Sequence, residues 1–373
     1  MASISPNQVP GVWRGLGWAL AATPAGGTSR SRLTLRMLWA TLRYHGALKR
    51  WMAVAYEQHS RGLAADLPAL FLRAVRPYVH RGQTAQDRAV QLTDHVDWLE
   101  SALQPAPLRQ LAAGQPVVLA NLMAPRGYAH MRIELQRASS HSPEGELLLS
   151  LTLQRDDSVK VMQPVEVATV AFSVFRVQGK ACLAIGGVRG QRHPVLRLSP
   201  VEISQALQGW KAPVLMLRVM QELASFWELH LIGLDPAWHP VQSWDYLLSK
   251  RHKEIARRIA ESYTVLWEHF DAQRGPTGWV VLPPHSDDRL AATALSPEKR
   301  ARQIQRADYW IRTGNQLRTE FRNVLQRPDP HARLGRLTES QTLQGRFSGY
   351  DTRQHGDEPQ YPSVLESAPV SLL

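Results

Sequence analysis

Residues 165–190 read VEVATVAFSVFRVQGKACLAIGGVRG, and this stretch decides the class of fold. Val, Phe, Ala and Ile dominate two runs, Val165 to Val177 and Lys180 to Gly187, which only Gln178-Gly179 separates. β-Branched and aromatic residues favour strands, and a two-residue connector that contains glycine is typical of a β-hairpin. The stretch therefore predicts two antiparallel strands of one sheet.

Further elements are predicted on both sides of this hairpin. Three earlier strands are predicted at 116–120, 129–135 and 146–153, and two later ones at 229–234 and 278–282. The predicted helices at the C-terminal side begin at residues 199, 212, 254 and 296. Residues 33–103 have the apolar spacing of helices instead of strands. The sequence thus predicts an α+β fold, in which a helical N-terminal unit precedes a mixed, mostly antiparallel sheet flanked by helices.

The composition supports a packed core and defines four segments. The chain has 373 residues, of which 44% are hydrophobic and 20% charged, so it is neither collagen-like nor globally disordered. It has no apolar run long enough for a membrane span. We predict a flexible tail at 1–29, a helical unit at 30–110, an α+β domain at 111–327 and a second flexible tail at 328–373. Because the N-terminus lacks the basic start of a secretory signal, we expect a cytoplasmic protein, or one peripheral at the inner membrane.

Cysteine and histidine usage argues against a metal site. The single cysteine, Cys182, excludes an intramolecular disulfide and a cysteine-based zinc site. It lies in an apolar run, which predicts a buried thiol and not a nucleophile. His95 has Asp94, Asp97 and Glu100 near it in sequence, but this spacing does not place two or three ligands on one helical face. No metal is therefore expected.

The net charge of +12 is concentrated in two segments. The first, residues 30–61, contains seven Lys or Arg residues and one acid. An apolar stripe at helical spacing runs through it, at Leu35, Leu38, Trp39 and Leu42, and three arginines lie beside the stripe, at Arg32, Arg36 and Arg43. Basic amphipathic helices that carry Trp bind anionic membrane surfaces, although such a stripe can also pack on the protein's own core. Two alternatives follow for residues 30–61: the stripe packs on the protein's own core, which we favour, or it binds an anionic membrane.

The second basic segment, residues 296–336, contains ten Lys or Arg residues and four acids. Ser296-Pro297-Glu298 predicts the start of a long helix, since Ser caps helices and Pro and Glu suit the first turn. Arginines four residues apart share a face that could bind phosphate groups. The basic face of a helix is more often simply exposed to solvent, however. We therefore do not expect nucleic acid as a partner.

An ordered set of short strings resembles the VirK/YbjX family, a bacterial domain of unknown function. The strings are EGEL at 144–147, IGGVRG at 185–190, KAPVL at 211–215, WH at 238–239, SY at 262–263, GWVVLP at 278–283 and SPEKRA at 296–301. Arg88 and His95 fit the same pattern, and the resemblance spans residues 68–325. It implies an association with virulence, envelope integrity and resistance to antimicrobial peptides, without an agreed activity.

The order of elements between residues 165 and 234 also resembles the core of a GNAT-type N-acyltransferase. In that fold a glycine-rich turn leads into a helix whose first backbone amides hold the pyrophosphate of acyl-CoA. The resemblance implies that Gly186, Gly187, Arg189 and Gly190 bind acyl-CoA. The alternative is that the glycines serve only the backbone geometry of a hairpin end.

An acyltransferase needs a general base and a general acid near the sheet. We nominate Glu146 on its strand, His239 beyond the strand 229–234, and Tyr263 on the following helix; the alternatives are a solvent-facing acid, a loop histidine and a core aromatic. The predicted function is transfer of an acyl group from acyl-CoA to an amine of an envelope component or a secondary metabolite. The alternative is a non-enzymatic, envelope- or virulence-associated factor that binds an anionic membrane or a protein partner.

Overall fold

A computed structural model describes most of the chain between residues 11 and 327. The described residues are 11–22, 30–64, 66–123, 127–139, 142–155, 164–191, 198–242, 250–276, 278–284 and 296–327. The tail predicted at 328–373 lies outside them.

One eight-stranded sheet forms the centre of the described structure. Its strands are β1 (Val117–Leu122), β2 (Tyr128–Arg137), β3 (Leu147–Arg155), β4 (Val165–Val177), β5 (Lys180–Gly190), β6 (His230–Leu234), β7 (Gln273–Arg274) and β8 (Trp279–Val281). They lie side by side in the order β1-β2-β3-β4-β5-β6-β8-β7. Within the described strands, β5 and β6 are parallel and every other neighbouring pair is antiparallel. The predicted α+β class with a mixed, mostly antiparallel sheet is confirmed.

Nine helices surround the sheet in the described ranges. They are α1 (Val12–Ala22), α2 (Arg30–Ser60), α3 (Leu67–Arg73), α4 (Ala85–Ala102), α5 (Pro105–Ala112), α6 (Pro200–Ala206), α7 (Ala212–Phe226), α8 (Lys250–His269) and α9 (Pro297–Val324). Two short 3-10 turns, Pro236–Trp238 and Pro240–Gln242, follow β6. In the described part of the chain, no helix has both the length and the apolar character needed to cross a bilayer.

The β4–β5 hairpin forms as the sequence predicts. The strands pair from Val177 and Lys180 at the turn to Ala168 and Gly190 at the far end. The two connecting residues both have positive φ, 50° at Gln178 and 80° at Gly179. Positive φ at both central positions is the geometry of the hairpin turn whose twist matches that of the strands.

β5 contains a bulge at Gly186, and this bulge fixes the position of the site described below. Ile185 pairs with Phe172, but Gly187 pairs with Ala171, so Gly186 is an extra residue in the ladder. The parallel pairing with β6 ends at the same point, at Ile185 and Gly233. A bulge bends a strand and strengthens its twist. β5 therefore continues to Gly190 beside β4 while it leaves the edge of β6.

Helices cover both faces of the sheet because side chains alternate along each strand. Cys182 and Ala184 of β5 pack in a cluster with residues of α1 to α4, such as Trp51 of α2. Leu183 and Ile185 face the other way and pack with residues of α7, α8 and α9. The N-terminal helices therefore share their core with the sheet, although helices end at Ala112 and strands begin only at Val117.

Two parts of the described structure differ from the sequence prediction. Residues 12–22, inside the predicted tail 1–29, form α1, whose Val12, Leu16 and Ala19 are buried against α2 and α3. The glycine-rich turn predicted after residue 187 is wrong, since β5 runs on through Gly190. Strand pairing with β4, which no local signal reveals, keeps these glycines extended.

Candidate functional site

Several of the predicted site residues meet at the bulge of β5. Arg189 forms an ion pair with Glu144, and Nε2 of His239 lies 3.9 Å from Oε1 of the same carboxylate. The rings of His239 and Tyr263 meet edge to face with their centroids 5.9 Å apart. We call Glu144, Arg189, His239 and Tyr263 the bulge site. It combines a carboxylate, a guanidinium, an imidazole and a phenol.

A backbone hydrogen bond places Tyr263 where β5 leaves β6. The N–H of Val188, beyond the last parallel pair, donates to the Tyr263 hydroxyl oxygen at 2.9 Å. A phenolic hydroxyl that accepts this bond keeps its own proton to donate. Tyr263 thus fills the position on the edge of β5 that β6 vacates.

α8 is held against the end of β6 by a second aromatic residue. Nε1 of Trp267, one turn after Tyr263, donates to the carbonyl of Leu234 at 3.0 Å. The ring of Trp267 lies over Gly233, where a Cβ would come within 2.7 Å of it.

Burial raises the pKa of Tyr263, and the nearby Glu144 carboxylate raises it further. Tyr263 is therefore protonated at neutral pH.

Two glycines of β5 make room for Glu144, whose side chain is only 6% exposed. A Cβ on Gly186 would overlap the carbonyl oxygen of Glu144, and one on Gly187 would overlap its carboxylate. The side of β5 that these glycines uncover is thus occupied by Glu144. This finding favours the alternative explanation of Gly186 and Gly187, that they serve backbone packing.

His239 is completely buried and is neutral at pH 7. Its Nδ1 accepts the N–H of Val241 at 3.2 Å, so Nε2 carries the ring proton. Nε2 lies 3.9 Å from Oε1 of Glu144 and is also close to the backbone of Gly186. Burial lowers the pKa of His239 to about 4; the Glu144 carboxylate opposes this shift and the Arg189 charge adds to it. His239 is therefore a weak base whose Nε2–H lies between the Glu144 carboxylate and the backbone of Gly186.

Glu146 does not join the bulge site. Its Oε1 accepts a hydrogen bond from Nε of Arg73 at 2.7 Å, and Arg73 also donates to the carbonyl of Gly145 at 2.9 Å. Burial alone would raise the pKa of Glu146, but the charge and the hydrogen bond of Arg73, helped by His95 and Arg137, outweigh it and hold the pKa below its usual value. The prediction that Glu146 acts beside His239 and Tyr263 is not supported by these contacts. Glu146 ties α3 to the sheet instead.

A small, mostly apolar cavity lies beside Glu146, between the N-terminal helices and the sheet. It has a volume of about 20 Å³, and Gln58, His95 and Arg137 contribute polar groups to its wall. His95 accepts the N–H of Val174 at Nδ1, and burial lowers its pKa to about 4. A cavity of this size has room for roughly one water molecule. It is therefore too small to hold a substrate.

Glu144 and Arg73 were not predicted as site residues, although the EGEL string at 144–147 and the helical spacing of residues 33–103 were both recognised. Glu144 and Glu146 are two residues apart and would share a face in a regular strand. β3 begins only at Leu147, however, and Gly145 lies so close to Phe172 that a Cβ would be 2.7 Å from its backbone nitrogen. The glycine between the two acids was the available signal that the chain turns there.

The part of the bulge site that reaches solvent is Arg189, near the end of β5. Arg189 has the most exposed side chain of the bulge site, at 39%. Gly190 follows it at the end of the strand and pairs with Ala168 on the β4 side. In the described part of the chain, no three His, Cys, Asp or Glu side chains lie together as metal ligands would.

Replacement of Gly186 by Ala tests the packing of Glu144. The added Cβ would overlap a backbone carbonyl, so we expect Gly186→Ala to lower the free energy of unfolding by about 1–3 kcal/mol. The control is Gly17→Ala in α1, where a Cβ contacts nothing within 4 Å. This control should gain about 0.5–1 kcal/mol of helix stability. Urea denaturation measures both, and equal stability of Gly186→Ala and the wild type would contradict the packing.

The lowered pKa of His239 predicts acid sensitivity. Between its folded pKa of about 4 and its ordinary value of 6.5 the unfolded chain binds the proton more readily, so stability falls as the pH falls. We expect the wild type to lose on the order of 3 kcal/mol more than His239→Gln between these limits. Asp94, with a pKa raised to about 6, acts in the opposite direction but is common to both proteins. Urea denaturation across this pH range measures the difference, and parallel stability curves would show that His239 is not buried in its neutral form.

Comparison with known proteins gives a family and no activity. Residues 27–309, more than half of the chain, match the family described as protein of unknown function (DUF535). No curated protein and no solved structure matches the chain significantly. The chain therefore belongs to the DUF535 family, the family of VirK and YbjX that its sequence resembles.

Proposed function

We propose that this protein is a GNAT-like acyltransferase that moves an acyl group from acyl-CoA to an amine of an envelope component or a secondary metabolite. One observation carries the proposal: the Tyr263 hydroxyl lies where the parallel strands β5 and β6 separate. Ligands of open sheets bind at the carboxyl ends of parallel strands. The bulge site is at this end of β5.

The connection from β5 to β6 places a helix start at the same end. α7 lies in the crossover between the two parallel strands, so its N-terminus is on the side of the sheet where β5 ends. No side chain caps the first turn of α7, which begins after Lys211. Uncapped N–H groups and the helix dipole favour an anion such as a pyrophosphate. Arg189 and Gly190, at the end of β5, remain the residues assigned to acyl-CoA binding.

The polar residues of the bulge site have separate roles in this proposal. Acyl-CoA, when bound, supplies the acyl group as a thioester. Tyr263 donates the proton that the departing sulfur takes up when the C–S bond breaks and the new C–N bond forms. Glu144 takes the place of Glu146 as the carboxylate that accepts a proton from the attacking amine, and the Nε2–H of His239 faces that carboxylate.

Binding of acyl-CoA is the first test. We expect acetyl-CoA or a longer acyl-CoA to raise the melting temperature, since a ligand at one hundred times its Kd stabilises a protein by about 2.7 kcal/mol. Gly190→Trp should abolish the shift because the indole would cover the end of β5. Gly17→Trp, on the exposed side of α1, is the matched control and should keep it. A wild-type protein that shows no shift with either ligand would rule out the proposed function.

The role of Tyr263 is tested by Tyr263→Phe. The variant keeps the ring and loses the proton donor, so we expect the rate of acyl transfer to fall about 100- to 10,000-fold while acyl-CoA binding changes little. Release of the free CoA thiol, followed across a panel of amines, gives the rate, and thermal shift gives the binding. A variant with wild-type turnover would remove Tyr263 from the chemistry. Tyr309→Phe, which alters another buried tyrosine outside the bulge site, is the control.

A further inference from the structure

The first half of α2 carries an apolar surface that no other described element covers. Its residues are Leu35, Leu38, Trp39 and Leu42, with exposed fractions of 68%, 40%, 57% and 77%. We call these four residues the α2 stripe. The predicted alternative, that this stripe packs on the protein's own core, is wrong for the described structure. A different side of the helix, with Leu33, Met37 and Ala40, is buried in the core cluster that includes residues of α1.

The α2 stripe is a continuous, narrow band. With 3.6 residues per turn its four members lie within about 100° of the helix circumference, the width of the apolar face of an amphipathic helix. The helix departs from regular geometry at Tyr44, with φ −129° and ψ 32°, directly after the stripe ends. The ring of Tyr44 lies 5.4 Å from that of Trp39 and edge-on to it. The kink thus marks the end of the apolar band.

The charged side chains of α2 that precede Glu57 are all positive. The first acidic residue of the whole sequence is Glu57, whereas seven Lys or Arg residues precede it. Among the described side chains Arg43, Lys49 and Arg50 are exposed, and the Arg43 guanidinium lies 6.0 Å from the centre of the Tyr44 ring. Arg43 thus lies next to the stripe, and Lys49 and Arg50 follow on the same helix beyond Tyr44. Exposed Leu and Trp residues on a helix with exposed cations match a bilayer, whose anionic headgroups cover an apolar interior.

We propose that the α2 stripe docks on an anionic lipid bilayer, with its leucines and Trp39 below the headgroups and Arg43, Lys49 and Arg50 at the level of the phosphates. Apolar burial and attraction to anionic headgroups together hold such helices in the plane of the interface. A second copy of this chain would present the same cations, and like charges oppose that pairing. This docking is independent of the proposed acyltransferase activity, because it uses none of the bulge site.

Vesicle co-sedimentation of the full chain tests the docking. The probes are vesicles of phosphatidylcholine and vesicles in which part of it is replaced by phosphatidylglycerol. We expect the protein to pellet only with the anionic vesicles, and less as salt is added, because salt screens the headgroup charge. We expect Arg43→Gln, Lys49→Gln and Arg50→Gln together to weaken partition on the order of 100-fold.

The apolar contribution is tested separately by Leu35→Gln with Leu42→Gln. Both side chains are exposed, so the pair should leave the melting temperature unchanged while partition falls by on the order of 100-fold. The matched control is Ile255→Gln with Val265→Gln, two exposed apolar residues of α8, which should bind as the wild type does.

Three results would overturn the docking proposal. The first is a wild-type protein that stays in the supernatant with anionic vesicles at low salt. The second is a Leu35→Gln, Leu42→Gln protein that still pellets like the wild type. The third is a wild-type dimer, measured by light scattering, that becomes monomeric in that variant, since the stripe would then be an interface between copies.

Discussion

The close packing of Glu144 on β5 is the constraint on which the rest of the structure depends. It requires residues without side chains at Gly186 and Gly187, because a Cβ at either position would overlap Glu144. The segment that leads to Glu144 also holds the connection between α3 and α4, since the N–H of Val79 donates to the carbonyl of Pro143 at 2.6 Å. The packing around Glu144 therefore couples the bulge of β5, the N-terminal helices and the side chains of the bulge site. If Glu144 were displaced, all three would have to move.

Glu144 and Glu146 show how one short segment stabilises two buried charges. Burial of an unpaired carboxylate costs several kcal/mol, so each must have a partner. Arg73 pairs with Glu146 in a place where both side chains are largely buried, at 5% and 15% exposure. Arg189, at 39%, pairs with Glu144 and reaches solvent. The first pair is enclosed and holds α3 on the sheet, whereas the second is open to solvent at one end. In the proposed acyltransferase, this difference favours Glu144 over Glu146 as the base.

The sequence predicts what local pattern controls and misses what distant partners control. The hairpin of β4 and β5 is predictable because alternation and a two-residue turn specify it locally. The bulge at Gly186 is not, since it depends on where β4 and β6 pair with β5. Periodicity identifies the apolar residues of α2 but not their partners: Leu33 and Met37 meet α1, which was itself predicted to be a tail, while Leu35 and Leu42 remain exposed. The missed helix α1 and the unexpected exposure of Leu35 and Leu42 have the same cause. Whether an apolar residue is buried depends on the other elements that pack against it.

Burial also decides the direction in which protons can move at the bulge site. With its pKa raised, Tyr263 stays protonated, and the backbone N–H of Val188 occupies its acceptor side, so it can act as an acid. His239, with its pKa lowered to about 4, stays neutral and presents an N–H; it is a poor base at pH 7. Of the four side chains, Glu144 is the one left to accept a proton, and its ion pair with Arg189 would have to loosen first. In the proposed acyltransferase, binding of an anion by Arg189 would therefore also release the base.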